Sequence, residues 1–236
     1  MHPLDTMQAM ASRNRFLSSR SLRLSLAFFF AAASLASQAP PQPTKVMDAS
    51  ALHPPAGASV AIVEFSDLEC PACARANPIL MQAVAQYKIP WIRHDLVING
   101  HPWSPVAAVN SRWFDSKGNG LGDAYRNAVF ANQTYIYNVN VLAEFTQKFA
   151  QSHNIQMPFS VDPQGKLAAD VKADSDLSRR TGVTHTPTIF IVTAHSSGAP
   201  YIEVLNPQTD LFKTIDQAIS DTKQATAVSP HRAAHK

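Results

Sequence analysis

Cysteine is nearly absent. The 236 residues contain two, Cys70 and Cys73, with Pro71 and Ala72 between them. A disulfide framework needs several pairs, so the chain is not a small stapled scaffold. A bridge between these two closes only a tiny loop and removes little entropy from the unfolded chain. That makes it a poor staple and favours a redox-active pair. No apolar run reaches the roughly 20 residues of a spanning helix. No Gly-rich phosphate loop follows a strand, so no organic cofactor is indicated. Internal repeats are absent too.

Charge of one sign is also missing once its distribution is examined. The chain carries 20 Lys and Arg against 17 Asp and Glu. Residues 1–36 hold four arginines (Arg13, Arg15, Arg20, Arg23) and one acid, Asp5, which leaves 16 against 16 in the remainder. A near-neutral body gives no reason to expect nucleic acid or an acidic surface as a partner.

Those first 36 residues read as a signal peptide. The arginines form a positive n-region, Leu24 to Ala36 is an apolar h-region, and Ser34-Leu35-Ala36 offers small residues for cleavage. Export to the periplasm follows, with a retained N-terminal membrane anchor as the alternative. Residues 37–59 begin with "SQAPPQPT" and read as a Pro-rich, poorly ordered linker. Export places the cysteine pair in an oxidising compartment.

The rest of the chain alternates strand and helix. "VAIVEF", Val60 to Phe65, is an apolar run broken by one acid and reads as a buried strand. Pro71 suits the first turn of a helix reaching about Tyr87, with Ala76, Ile79, Leu80, Ala83, Val84 and Tyr87 on one face. Pro78 lies inside it, where a kink is expected. Trp91 to Ile98 reads as a second strand, parallel to the first. Residues 99–174 show helical periodicity and cannot extend the sheet, so they form a lobe inserted between residues 60–98 and 175–223. A short helix, Asp174 to Thr181, leads back to strands Thr188–Val192 and Tyr201–Leu205, which form a hairpin. A last helix covers about Thr209 to Thr222, and residues 224–236 read as a disordered tail. The fold class is α/β. Trp103, Trp113 and Phe114 read as core of the lobe. His94, His101, His153 and His195 read as surface or structural residues.

A thiolate, not a thiol, attacks a disulfide. Cys70 stands where the helix begins, and the free N–H groups there stabilise an anion. Cys73, one turn inside, is less accessible. Cys70 is therefore the expected nucleophile and Cys73 the resolving thiol.

Four features together resemble the thioredoxin-fold, DsbA-type disulfide oxidoreductases. They are Cys-Pro-Ala-Cys after a strand, Glu64 six residues before Cys70, Pro78 in the helix, and "GVTHTPT" from Gly182 to Thr188. The resemblance covers roughly Val60 to Thr222. It implies a central mixed sheet flanked by helices, with the lobe inserted. It implies that Glu64 is a buried acid relaying a proton for Cys73. It also implies that Pro187 is a cis-proline facing the disulfide and that the Thr186 backbone pairs with bound substrate as an added strand; Pro71, Ala72 and His185 are further expected substrate contacts. His185 departs from the glycine common in relatives. Its imidazole either stabilises the Cys70 thiolate or points to solvent. Glu64 has its own alternative, a salt bridge at a strand end.

The activity these residues imply is dithiol–disulfide exchange with cysteine-containing exported proteins, with oxidation as the leading direction. The resemblance implies a quinone-linked membrane redox partner, and a monomer is expected. Reductase or isomerase activity is the alternative within the class. A copper carrier using Cys70, Cys73 and a histidine such as His185 is the alternative outside it.

Overall fold

In the computed structural model of the chain, residues 42–195 and 199–228 are described. The signal peptide expected at 1–36, the first residues of the linker and the tail from 229 lie outside them. The elements run β1 (Val60–Ser66), α1 (Pro71–Tyr87), β2 (Trp91–Asp95), α2 (Ser104–Asp115), α3 (Leu121–Asn132), a 3-10 turn (Gln133–Tyr135), α4 (Val139–Ser152), α5 (Lys166–Thr181), β3 (Thr188–Thr193), β4 (Tyr201–Glu203) and α6 (Pro207–Val228).

The sheet order is β2-β1-β3-β4. β1 pairs parallel to β2 and antiparallel to β3, and β4 returns antiparallel on β3. All seven residues of β1 are buried, which explains why its sequence is apolar but for Glu64 and the terminal Ser66. Alternate residues serve two cores. Val60 and Ile62 pack with Ala76, Leu80 and Ala83 of α1 and with Leu211 and Ile215 of α6. Ala61, Val63 and Phe65 pack on the opposite face with Leu52, Val183, Phe190 and Val192. By this alternation Glu64 belongs to the α1 face.

The helical lobe has a third core. Phe114 is fully buried, its ring 4.8 Å from Tyr125 and 5.0 Å from Phe149. Trp103 and Trp113 join it, as expected of them. Leu68, Cys70 and Cys73 belong to the same cluster, so the Cys-Pro-Ala-Cys turn is packed against the lobe.

Four boundaries differ from the sequence expectation. Residues 42–59 are not a loose linker: Leu52 is fully buried, Met47 N–H bonds the Thr181 carbonyl, and Thr44 donates through its N–H and hydroxyl to Glu203. β2 ends at Asp95, because beyond it the Ile98 N–H turns to bond Asp67 Oδ2 at 2.7 Å. α5 starts at Lys166 rather than Asp174, since the Asp162 carboxylate accepts from the N–H groups of Leu167 and Ala168 in its first turn. α6 continues to Val228, through residues assigned to the tail.

Candidate active site

The turn between β1 and α1 is held from several directions. Asp67 Oδ1 accepts from the Glu69 N–H at 2.7 Å, and Asp67 Oδ2 lies 3.0 Å from His101 Nδ1. Glu69 Oε2 accepts from the N–H groups of Trp103 and Ser104 at 2.8 and 3.0 Å, placing an acid at the N-terminus of α2, where the helix dipole favours it. The Gln133 amide donates to the Leu68 and Cys70 carbonyls at 2.9 and 3.1 Å. Cys70 itself is the extended residue preceding α1, and Pro71 takes the first helical position.

The two thiols are free and unequal. Cys70 keeps 8% of its surface and Cys73 none. The Cys70 pKa falls to about 5, chiefly because the Cys73 thiol donates to its sulfur. Partial burial opposes this, while Thr186 and the N–H groups of Cys73 and Ala72 assist it. The Cys73 pKa is pushed well above its ordinary value, first by burial, then by its bond to Cys70 and the charges of Cys70 and Glu64.

The Thr186–Pro187 peptide is cis. It stands across from the thiols: the Cys70 thiol donates to the Thr186 carbonyl at 3.4 Å. The Thr186 hydroxyl is buried and accepts or donates no hydrogen bond within the site. Pro71 is exposed and Ala72 and Thr186 are half-buried around the same point. His185 is exposed, and its carbonyl accepts from Thr188 Oγ1.

Glu64 sits within β1, not at its end, and is 1% exposed. Trp91 Nε1 donates to its Oε2 at 3.0 Å, and Arg93 Nε lies 4.0 Å from the same oxygen. Burial raises its pKa to about 7, against the pull of Arg93 and the indole N–H. Arg93 is itself held by Asn77 of α1 and by Asn127 and Asp123 of α3. A second ionic group ties β2 to the helices: Arg112 pairs with Asp95 at 2.6 Å and with Asp174, which also bonds His94 at 2.8 Å. Trp91, Arg93, Glu69 and Gln133 escaped the sequence reading. Alternation along β2 puts Trp91 and Arg93 on one face, and that signal was available. Nothing local marks Gln133. Among the described residues, no group of three His, Cys, Asp or Glu is placed to hold a metal ion.

The arrangement pairs a stabilised, partly accessible thiolate with a buried, protonated thiol above a carboxyl group that titrates near neutrality. The thioredoxin family model matches residues 55–210. No curated protein matches the chain. Among solved structures it is similar to Wolbachia pipientis alpha-DsbA1, with 16% identity over 79% of this chain and 95% of that one and a TM-score of 0.58. It is similar to the thiol-disulfide exchange protein alpha-DsbA2 from Wolbachia pipientis, with 19% identity, 70% and 84% coverage and a TM-score of 0.56. BdbD from Bacillus subtilis gives 18% identity, 76% and 97% coverage and a TM-score of 0.56. The chain belongs to the thioredoxin family and has the fold of its DsbA-type members, a mixed sheet with an inserted helical lobe.

Proposed function

We propose that this protein is an exported thiol:disulfide oxidoreductase that oxidises cysteine pairs of exported proteins. The observation that carries this reading is the asymmetry of the pair, Cys70 lowered to about 5 and Cys73 raised and buried. In the oxidising direction a client thiolate attacks Cys70 Sγ of the Cys70–Cys73 disulfide. The bond between them breaks, Cys73 leaves as a thiolate, and Glu64 supplies its proton. A second client thiolate then attacks the client sulfur held on Cys70. The client disulfide forms, Cys70 leaves as the stabilised thiolate, and of the two protons released by the client thiols one reloads Glu64 and one passes to solvent. Two electrons move from the client to the pair. A stable Cys70 thiolate favours the reduced protein, which makes the disulfide a strong oxidant.

The Thr186 backbone beside cis-Pro187 pairs with the client segment, and Pro71 and Ala72 border it. Reoxidation is assigned to a quinone-linked membrane partner, and the compartment to the periplasm. No described helix is long and apolar enough to cross a membrane.

The test is the equilibrium potential of the Cys70–Cys73 pair against glutathione. A value near about −120 mV, as in strong oxidants, supports a disulfide donor. A value near roughly −270 mV makes the protein an electron donor instead. Absence of a reversible couple sinks the reading.

A further inference from the structure

The two oxygens of Glu64 are unequally partnered. Its Oε2 receives the Trp91 indole N–H at 3.0 Å and faces Arg93 Nε at 4.0 Å. Its Oε1 is buried and bonds nothing. The register explains why the indole and the guanidinium both lie on the Oε2 side. Trp91 is the β2 partner of Ile62, and Arg93 is the partner of Glu64. Ile62, Glu64, Trp91 and Arg93 therefore share one face of the sheet, with Trp91 on the diagonal from Glu64. The Arg93 guanidinium also lies 3.4 Å from the centre of the Trp91 ring, so the indole supports that cation as well.

We infer that Trp91 is a positioning residue for the proton relay, holding Glu64 by Oε2 so that the exchanged proton is carried on Oε1. The inference rests on the reading of Glu64 as the relay for Cys73. The indole hydrogen bond and the Arg93 charge, both on Oε2, disfavour a proton on that oxygen. Oε1 has no competing bond and is the atom left to exchange with the Cys73 sulfur. When Cys70–Cys73 re-forms, Cys73 loses its proton to Oε1, its sulfur bonds Cys70 Sγ, and the thiol held on Cys70 departs with the bonding electron pair. In the opposite direction the proton returns from Oε1 to Cys73.

Other charges facing Glu64 keep their places in this scheme. Arg93 and Asp95 come from β2, Arg126 from α3, and Cys73 from α1. The β3 residue opposite Glu64 is Ile189, which is apolar. Trp91 is thus the neutral donor, and its N–H favours the carboxylate without adding charge.

The test uses the mixed disulfide of Cys70 with glutathione, prepared in the full chain, and follows glutathione release against pH. Release needs the Glu64 carboxylate, so its rate falls on the acid side. Trp91→Phe keeps a ring under Arg93 and removes only the N–H. It moves that limb to higher pH by about one pH unit, the effect of losing one hydrogen bond to a charged group. Glu64→Gln removes the limb. In parallel, the Trp91 indole N–H resonance of the reduced protein shifts with pH alongside Glu64 and stops shifting in Glu64→Gln, with Trp103 and Trp113 as internal controls. If Glu64→Gln leaves the limb intact, the relay reading fails and this inference with it. If Glu64→Gln abolishes the limb while Trp91→Phe leaves it in place, the relay stands and the role of Trp91 is overturned. Should Trp91→Phe not fold, the resonance in the native chain decides: an indole N–H indifferent to Glu64 overturns the inference.

Discussion

Gln133, from the turn after α3, donates its side-chain amide to the carbonyl of Cys70 at 3.1 Å and to that of Leu68 at 2.9 Å. One lobe residue thus braces both sides of the turn that presents the nucleophile. Gln133→Ala leaves these two carbonyls without that partner. The expected loss is about 1–3 kcal/mol of stability, read from urea unfolding, with the cysteine pair still able to form its disulfide. A variant as stable as the native chain would show that water replaces the amide fully.

The low Cys70 pKa depends first on the Cys73 thiol. In Cys73→Ala that donor is gone, while Thr186 and the backbone N–H groups remain. The Cys70 thiolate absorbance should then titrate above the native midpoint of about 5, yet below the ordinary thiol value of 9.0. A midpoint unchanged from the native protein would transfer the effect to the helix N-terminus and Thr186.

The same shift makes the reduced protein's stability pH-dependent. The unfolded thiol titrates near 9.0 and the folded one near 5, so the unfolded chain holds more protons between these values. The stabilisation is therefore complete above about 9, declines as pH falls, and is lost below about 5. The slope between them is about 1.4 kcal/mol per pH unit at most. The oxidised protein has no Cys70 thiol and no such slope from it. The difference in Tm between reduced and oxidised protein should shrink steadily from pH 8 toward pH 5. Parallel Tm curves would contradict the thiolate assignment.

Glu64 acts with the opposite sign. Its pKa rises from 4.5 to about 7 on folding, so the folded chain holds more protons in that interval. Stability falls as pH rises through it, by up to roughly 3 kcal/mol. Glu64→Gln keeps a neutral side chain of similar shape and should remove this loss. The measurement is urea unfolding of the oxidised protein at pH 5 and pH 7.5, where the Cys70 contribution is silent. An equal drop in the variant would assign the loss to other groups.

The determinants written along the chain were those whose physics is local. Cys70 and Cys73 are one turn apart, Pro71 starts the helix between them, and Thr186-Pro187 carries its own backbone preference. An acid inside "VAIVEF" announces a buried carboxyl wherever that strand packs. These residues were legible because neighbours in sequence supply their chemistry, and the family resemblance joined the two halves of the site.

What tertiary structure alone decided were partners far apart in the chain. Gln133 reaches back 63 residues to Cys70, and Trp91 reaches back 27 to Glu64. Met47 and Thr44 bond residues of α5 and β4, so the segment read as a linker packs on the domain. Periodicity reports which face of an element is apolar, but a polar side chain carries no signal of the distant group it will meet. Only when the strands register and the lobe closes on the Cys-Pro-Ala-Cys turn do those donors find their acceptors, and the pKa values of Cys70, Cys73 and Glu64 follow from that closure.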